Sequence, residues 1–395
     1  MQRRNFLHLS FAAAASLQAS DIFISQPKDD QQVAKVAFPE KKPLITYSNR
    51  PPLLETPIEY FDRAITPNEL FFVRWHMPII PTVKWLKSYH LVVGGEVETP
   101  LTLSIEELKK NFPAVEVTAA MQCGGNSRSA FYPTPYGIQW GNGAMGCARF
   151  KGVPLKEILK KAGLKADAAW LLFNGGDRPV KSDIPDFQRE LALEELRDDI
   201  IVAYEQNGED IPFLNGYPLR LIIPGYYADS WVKQLTHIHV TKEYTPTFFM
   251  DVAYRIPKNE CHCETPDNLA KESEPLSWMN VKSVIAKPRN HAKYKAGSNI
   301  QIKGIAFDGG SGIKKVEISI NGGKRWKEAK LEAELSKYAF RTFSYNIAPM
   351  HKGKMTIMAK ATNNKGETQP FDSQIGWNHG GYGYNGIDTI TVEIV

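Results

Sequence analysis

The spacing of apolar residues between 61 and 275 predicts short helices and strands. Ser104, with Glu107 three residues later, forms a capping-box pattern ahead of a short helix. The stretch 153–163 has a proline near its start, helical apolar spacing and a glycine at its end, which predicts a second helix. Short apolar runs predict strands at residues 89–93, 169–173 and 219–223. Because no regular βαβ rhythm links these elements, we predict an α+β domain.

From residue 276 onward the pattern changes to alternation of apolar and polar residues. Val316 to Ile320 alternates, and Asn321-Gly322-Gly323 then supplies a turn. Further strand-like runs lie at residues 300–307, 340–345, 355–361 and 389–394. Short strands separated by turns, without any helical pattern, predict a β-sandwich over residues 276–395.

The first 60 residues show little periodicity. Residues 26–60 are rich in Pro, Lys and Gln and are predicted to form an extended arm. Arg3-Arg4-Asn5-Phe6-Leu7 precedes a short run of small and apolar residues. This pattern is typical of a twin-arginine signal peptide, which we place at residues 1–25. The twin-arginine route carries folded proteins, so we expect a periplasmic enzyme that can receive a cofactor before export.

Composition and charge narrow the classes of function. The chain has 395 residues, with 48 Lys and Arg against 43 Asp and Glu, a net charge of +5. The basic residues are interspersed with acidic ones, so nucleic-acid binding is not predicted, whereas a small anionic substrate is compatible. No run of about eighteen apolar residues occurs, so no membrane span is predicted.

One of only four cysteines lies in an unusual setting, the segment Met121-Gln122-Cys123-Gly124-Gly125-Asn126-Ser127-Arg128. A thiolate is a soft metal ligand. Gly124 and Gly125 allow close approach by a bulky group, and Arg128 adds a permanent cation. From these residues alone Cys123 is either a metal ligand, a nucleophile that lacks a local base, or an inert buried cysteine.

This segment resembles the molybdenum-ligand loop of the sulfite oxidase family. Four more segments resemble that family in the same order, and so does the tail; they are Phe71–Pro78, Gly141–Leu155, Asn215–Lys233, Phe248–Pro257, and Asn321–Trp326 with Trp377-Asn378. The resemblance implies a sulfite-oxidase-type molybdopterin domain over residues 61–275 and an Ig-like dimerisation domain over 276–395. Departures from the family pattern occur at Trp75, where Asn is common, at Asn215, where His is common, and at Asp229, where Arg is common.

The resemblance also implies residue roles. The cofactor would be molybdenum bound to molybdopterin, with Cys123 as the protein ligand of the metal. The catalytic residues implied are Arg74 and Arg128 as cations for the anion, Tyr254 as a proton donor, and His76 beside Arg74. The cofactor-binding residues implied are Phe72, Val73, Arg74, His76, Asp177, Asn215, Arg220, Trp231, Val232 and Lys233.

The implied reaction is oxidation of sulfite to sulfate with water as the oxygen source. No Cys-x-x-Cys-His haem motif occurs in the chain, so electrons would pass to a separate c-type cytochrome. The implied assembly is a homodimer through the C-terminal domain or a heterodimer with a cytochrome subunit. Two other family activities stay open, that of a sulfane dehydrogenase catalytic subunit and that of a sulfoxide reductase subunit, although the latter normally lacks the sandwich. A non-catalytic binding module would leave Cys123, Arg74 and Tyr254 unexplained.

Three other patterns point to weaker alternatives. Gly141-x-Gly143-x-x-Gly146 matches a dinucleotide fingerprint, but Pro154 interrupts the helix that such a motif should begin. His237-Ile238-His239 and Cys261-His262-Cys263 contain metal-binding side chains at a spacing that fits no zinc site, and the histidines are predicted to face solvent. A disulfide between Cys261 and Cys263 would close a very small, strained ring. Cys147 is predicted to be a core residue.

Overall fold

We analysed a computed structural model, which describes residues 35–395 except 37, 39 and 82–87. The predicted signal peptide, residues 1–25, lies outside the described residues. The described part of the chain contains three short α-helices, α1 (Ile105–Asn111), α2 (Leu155–Ala162) and α3 (Phe248–Asp251). None of these is long and apolar enough to cross a membrane.

The strands up to residue 275 form three sheets and one isolated pair. They are β1 (Lys35–Val36), β2 (Leu44–Asn49), β3 (Pro52–Glu55), β4 (Val73–Arg74), β5 (Leu91–Gly95), β6 (Leu101–Leu103), β7 (Val115–Gln122), β8 (Met145–Pro154), β9 (Trp170–Asn174), β10 (Gln188–Ala192), β11 (Ile201–Gln206), β12 (Glu209–Asp210), β13 (Arg220–Ile222), β14 (His237–Thr241), β15 (Arg255–Pro257) and β16 (Ser273–Pro275). One sheet has the order β1-β2-β3-β4 and a second has β10-β9-β14-β5-β6. The third has β12-β11-β8-β7, with β13 also paired to β11, and β15 pairs with β16.

The predicted local elements of this region are present with small shifts. Ser104 Oγ accepts from the backbone N–H of Glu107, and the Glu107 carboxylate accepts from the N–H of Ser104, so the capping box at the start of α1 is confirmed. The second predicted helix is α2. The three predicted strands are β5, β9 and β13. The first two are displaced by two residues and one residue from the prediction, and β13 is one residue shorter than predicted at each end.

Part of the segment predicted to be an extended arm forms a β-hairpin, β2 and β3, which pairs with β4. All four residues of β3 are buried, so its two faces show no difference in polarity. A register shift between Thr46 and Ser48 also breaks the two-residue period of β2. These two features explain why apolar alternation did not reveal the hairpin.

A long antiparallel hairpin, β7 and β8, positions the cysteine segment. Ala119, Ala120 and Met121 are fully buried in the core, and the pairing runs without interruption to Gln122 opposite Met145. The ladder then continues one step, because the N–H of Cys123 donates to the carbonyl of Ala144 at 3.0 Å. The loop that carries Cys123 is therefore attached directly to a central strand.

The glycines at 141 and 143 serve a structural purpose. The Glu55 carboxylate accepts hydrogen bonds from the N–H groups of Gly141 and Gly143 at 2.8 and 3.0 Å. A Cβ at Gly143 would lie only 1.9 Å from the backbone oxygen of Thr56. The absence of side chains at these glycines thus allows β3 to approach closely. The Glu55 carboxylate then accepts from the backbone N–H groups that would otherwise be available to a dinucleotide phosphate.

The strands after residue 275 form two sheets that pack face to face. They are β17 (Lys282–Lys287), β18 (Lys293–Tyr294), β19 (Ile300–Phe307), β20 (Ile313–Ser319), β21 (Lys327–Glu328), β22 (Lys330–Leu331), β23 (Arg341–Ile347), β24 (Gly353–Asn363) and β25 (Asp388–Ile394). Their orders are β17-β19-β23-β22 and β18-β25-β24-β20-β21. Apolar side chains from both sheets, such as Ile302 and Phe343 from one and Val316 and Ile357 from the other, form a shared core. The predicted sandwich is confirmed.

The sandwich and the first region share a continuous apolar core. Phe340 makes an edge-to-face contact with Phe61, with ring centroids 5.9 Å apart. The N–H of Phe340 also donates to the sulfur of Cys147, which is fully buried as predicted. The two regions are therefore packed through their interiors, as well as through surface polar contacts.

Cys261 and Cys263 are joined by a disulfide, contrary to the sequence expectation that so small a ring would be disfavoured. His262 between them has φ +47°, a left-handed conformation that turns the chain within this short span. His237 and His239 are exposed on β14, as predicted.

Candidate active site

Two cavities meet at Cys123. The inner cavity is lined by residues that include Phe72, Phe187, Leu214, Asn215, Arg220 and Lys233. The outer cavity is lined by residues that include Arg128, Tyr136, Trp140, Phe249, His379 and Tyr382. Arg74, His76, Cys123 and Tyr254 line both cavities. These four residues, which the sequence predicted to act together, form the boundary between the two spaces.

Cys123 lies at the end of β7, where its side chain is 7% exposed. Burial raises the pKa of the Cys123 thiol, and the Arg74 and Arg128 cations oppose that rise. Gly124 follows, and a Cβ there would lie 2.4 Å from the side chain of Leu276. The glycine therefore allows the loop to pack against the second region while the sulfur faces the cavities.

Arg74 and His76 lie on one side of the chain, and Trp75 lies on the other. Trp75 is fully buried in a small core, and its indole N–H donates to the carbonyl of Leu214 at 2.8 Å. Nη1 of Arg74 donates to the carbonyl of Trp75 at 2.5 Å, which fixes the guanidinium near its own backbone. The predicted common face of Arg74 and His76 is confirmed.

His76 and Tyr254 form a hydrogen-bonded pair, with Nε2 of His76 2.5 Å from the phenolic oxygen. Burial and the nearby Arg74, Lys233 and Arg189 cations hold the pKa of His76 well below its usual value. Burial raises the pKa of Tyr254. The imidazole and the phenol are therefore both neutral near pH 7, and a single proton is shared between Nε2 and the phenolic oxygen. Nδ1 of His76 is buried and has no hydrogen-bond partner within the described residues.

The backbone of Tyr254 adopts φ +58°, an uncommon conformation for a residue with a side chain. Its ring stacks on Tyr382 with centroids 5.3 Å apart, and its N–H donates to the Tyr382 hydroxyl at 3.3 Å. His76 holds the other end of the side chain. The surrounding contacts thus fix Tyr254 in a strained conformation, which is a feature common at functional sites.

Arg128 reaches the outer cavity and is held largely by other parts of the chain. Nε donates to the carbonyl of Gly380 and Nη1 to the carbonyl of Ile138, each at 3.0 Å. The guanidinium also lies over the ring of Tyr382, 5.2 Å from its centroid. Two of the three anchors, Gly380 and Tyr382, belong to the C-terminal region.

The inner cavity concentrates positive charge. Burial lowers the pKa of Arg220 to about 9, and burial and the Arg220 and Arg74 cations lower that of Lys233 to about 7. Nε of Arg220 has no partner among the described residues. Nη1 of Arg220 donates to the carbonyl of Asn215 at 2.7 Å, and the Asn215 amide donates to the carbonyl of Phe72 at 2.9 Å.

These residues fit an anionic cofactor. Buried cations that repel one another are stabilised when an opposite charge binds between them. A phosphate-bearing pterin would provide such a charge, and Cys123 on the boundary would provide one sulfur ligand for its metal. Arg220, Lys233 and Asn215 would hold the phosphate end, and Phe72 would pack against the organic part.

Four of the predicted cofactor-binding side chains lie outside the lining of the inner cavity. Val73, Trp231 and Val232 are buried in apolar cores, and Trp231 packs edge-to-face on Phe150. Asp177 is 3% exposed and interacts electrostatically with Lys233, and burial raises its pKa to about 6. The negative charge of Asp177 raises the pKa of Lys233 and so opposes the effect of burial on that lysine.

Sequence reasoning missed three charged residues near the site. Nη2 of Arg189 pairs with the Asp229 carboxylate at 3.0 Å, both are buried, and the guanidinium lies 5.7 Å from the ring centroid of Tyr254. Lys41 donates to the side chain of Asn215 and to the carbonyl of Asn68 at 2.7 Å. Asp229 could have been found from the sequence, because it departs from the arginine that is common in the family. Arg189 and Lys41 could not, because they stand in polar stretches typical of exposed positions.

Two family models match the chain. The oxidoreductase molybdopterin binding domain matches residues 76–249, and the Mo-co oxidoreductase dimerisation domain matches residues 274–391. The first covers most of the residues that line the inner cavity, and the second covers the loop that anchors Arg128. The predicted cofactor, molybdenum with molybdopterin, is thereby supported by both the family and the charge of the cavity.

Similar proteins cover nearly the whole chain. Sulfite oxidase from Gallus gallus is 30% identical over 384 residues, which is 93% of this chain and 79% of that protein. Mitochondrial sulfite oxidase from Homo sapiens is 31% identical over 346 residues, 84% of this chain but only 62% of that longer protein. The crystal structure of the sulfane dehydrogenase SoxCD from Paracoccus pantotrophus superposes with a TM-score of 0.76 at 25% identity and covers 98% of this chain and 96% of that one. The chain therefore belongs to the sulfite oxidase family of molybdopterin oxidoreductases.

Proposed function

We propose that this chain is a molybdenum enzyme that oxidises sulfite to sulfate, takes the added oxygen from water and delivers two electrons to a separate c-type cytochrome. The balanced reaction converts one sulfite and one water into one sulfate, two protons and two electrons. When bound, the molybdenum cofactor supplies the two-electron redox chemistry, and the protein binds, orients and neutralises charge.

The observation that carries this proposal is the boundary between the two cavities. Cys123 faces the inner cavity, whose cations suit the cofactor, and it also faces the outer cavity, which has its own cation in Arg128. Arg74 lines both spaces. A small dianion in the outer cavity would therefore lie beside Cys123 and between two guanidinium groups, with opposite charge on both sides.

Tyr254 and His76 are suited to handle protons. The phenolic oxygen is hydrogen-bonded to Nε2 of His76, and both groups are neutral near pH 7 because of burial. The neutral phenol has one O–H, which can donate to a substrate oxygen when the anion is bound. Arg189 lies against the tyrosine ring and is paired with Asp229, whereas the Arg74 cation is the group that favours a negative charge on the phenol.

We further propose that the enzyme works in a periplasm as a dimer. The twin-arginine pattern at Arg3-Arg4 supports export of the folded chain. The match of residues 274–391 to a dimerisation domain supports self-association through the sandwich. Since the chain has no Cys-x-x-Cys-His haem motif, its electrons require another protein. A lysine pair in place of Arg3-Arg4 should leave the product in the cytoplasm, measured by fractionation.

A second candidate substrate is a sulfane sulfur, as for a sulfane dehydrogenase catalytic subunit of thiosulfate oxidation. The match to the sulfane dehydrogenase SoxCD extends over 98% of this chain, which favours a related architecture. A sulfoxide reductase subunit is less well supported, because this chain contains the sandwich that such subunits normally lack.

The test is steady-state reduction of a c-type cytochrome by the purified holoenzyme with sulfite, thiosulfate or a protein-bound sulfane donor. We expect the highest kcat/KM with sulfite. Faster turnover of the sulfane donor would assign the second activity instead. Cys123→Ser should abolish turnover with every donor, and Cys147→Ser, which changes the other buried free cysteine, is the matched control.

A further inference from the structure

A buried lysine of the C-terminal region donates a hydrogen bond to the cysteine loop. Lys282, at the start of β17, is 2% exposed. Its Nζ donates to Oγ of Ser127 at 2.6 Å and to the carbonyl of Tyr384 at 3.2 Å. Ser127 immediately precedes Arg128 and has φ +64°, so the loop turns sharply at the residue that the lysine holds.

The hydrogen bonds from this lysine form a directed chain. Because an ammonium can only donate, Ser127 Oγ must accept from Lys282, and its hydroxyl proton then goes to Oδ1 of Asn142. The Asn142 amide donates to Oδ1 of Asp388 at 3.2 Å, and Oδ2 of Asp388 accepts from the N–H of Ile285 at 2.7 Å. This series of hydrogen bonds thus begins and ends in the sandwich, and it passes through Ser127 of the cysteine loop and Asn142 of the glycine segment before β8.

The single cation Lys282 interacts with carboxyl groups from two different parts of the protein. Lys282 interacts electrostatically with Asp388 of the sandwich and with Glu55 of the N-terminal hairpin. Glu55 in turn holds the N–H groups of Gly141 and Gly143. Removal of the Lys282 ammonium would leave the two buried carboxyl groups without their cation. Removal of the Ser127 hydroxyl alone would interrupt the series of hydrogen bonds.

We propose that Lys282 is a positioning residue, which acts through Ser127 to hold Arg128 and the cysteine loop in the geometry needed for anion binding. This inference rests on the proposed function, because it assigns how the oxyanion site is kept in place. Lys282 touches neither cavity. Its effect should therefore appear in binding of the anion, and less in the capacity to hold the cofactor.

The test compares Ser127→Ala and Lys282→Met with the wild-type holoenzyme. Ser127→Ala keeps the buried charge of Lys282 and removes only the hydroxyl that joins Lys282 to Asn142. This variant is therefore expected to fold even if Lys282→Met does not. We expect the KM for sulfite and the Kd for sulfate, measured by calorimetry, to rise about tenfold in both variants, as one weakened charged contact would cause. The molybdenum-to-protein ratio and, for Ser127→Ala, the Tm should stay near the wild-type values, and kcat should change less than KM.

Ser336→Ala is the matched control. Its hydroxyl donates to the carbonyl of Thr118 at 2.6 Å across the same interface but away from the cysteine loop. An equal rise in KM and Kd in this control, or unchanged values in both test variants, would overturn the proposal. If wild-type enzyme does not oxidise sulfite while the sulfate Kd still shifts, the proposed activity fails and the positioning role stands. A wild-type holoenzyme that neither oxidises sulfite nor binds sulfate would overturn both.

Discussion

Replacement of Arg74 by glutamine tests the anion site most directly. Arg74 lines both cavities beside Cys123, and one of its N–H groups is used by the carbonyl of Trp75. Four N–H donors remain on the guanidinium, enough for two hydrogen bonds to one oxyanion. Glutamine keeps a donor but loses the charge and the fork.

The magnitude follows from the kind of contact that is lost. A hydrogen bond to a charged group contributes about 1.5–3 kcal/mol, so the KM for sulfite should rise roughly ten- to a hundredfold. Arg74→Lys keeps the charge without the planar fork and should fall between wild type and Arg74→Gln. The kcat should change less, because the proton-handling pair of His76 and Tyr254 remains.

The assay is cytochrome c reduction over a range of sulfite concentrations at low ionic strength. Each variant is compared at equal molybdenum content, so that loss of cofactor is not read as weaker binding. Arg178→Gln is a suitable control, since this arginine also donates to nearby backbone carbonyls but lines neither cavity. An unchanged KM in Arg74→Gln would refute the assignment of Arg74 as the anion-binding residue.

Three further predictions concern other parts of the site. Tyr254→Phe should lower kcat about a hundredfold with a smaller change in KM, because it removes a proton donor; an equal loss in both constants, from steady-state kinetics, would contradict this role. Lys233→Met should lower the molybdenum-to-protein ratio measured by mass spectrometry, because a buried cation facing the cofactor phosphate is lost, and full occupancy would contradict it. Burial lowers the pKa of Lys282 from 10.5 to about 8. Between about pH 8 and pH 10.5 the unfolded chain therefore binds more protons than the folded protein, so Lys282 makes the free energy of unfolding rise with pH in this range. Lys282→Met should lack that contribution in denaturant titrations, and an identical pH slope would argue against it.

Local pattern was sufficient for elements whose two faces differ in polarity. The capping box at Ser104 and the alternation before Asn321 were visible because each depends on residues close in sequence. The β2–β3 hairpin was not visible, because a strand buried on both faces has no polar alternation. Sequence pattern therefore did not reveal a strand whose two faces are both covered by residues distant in the sequence.

The same limit applies to the site. Cys123, Arg74 and Tyr254 could be named because each stands in a segment that resembles the family. Arg189 stands in a segment with no such likeness, and its contact with Tyr254 depends on the packing of β10 against distant residues. Val73, Trp231 and Val232 were named because whole segments resemble the family, and in the structure these three residues are buried.

The anchoring of Arg128 by Gly380 has a consequence for biosynthesis. The two residues are 252 positions apart in the chain. A ribosome that adds about 5–20 residues per second needs roughly 10–50 seconds to reach Gly380 after it has added Arg128. During that interval the nascent cysteine loop lacks both Gly380 and Tyr382. The contacts that hold Arg128 are thus complete only after residues 380–382 have been made, and a polypeptide that stopped before them could not form these contacts.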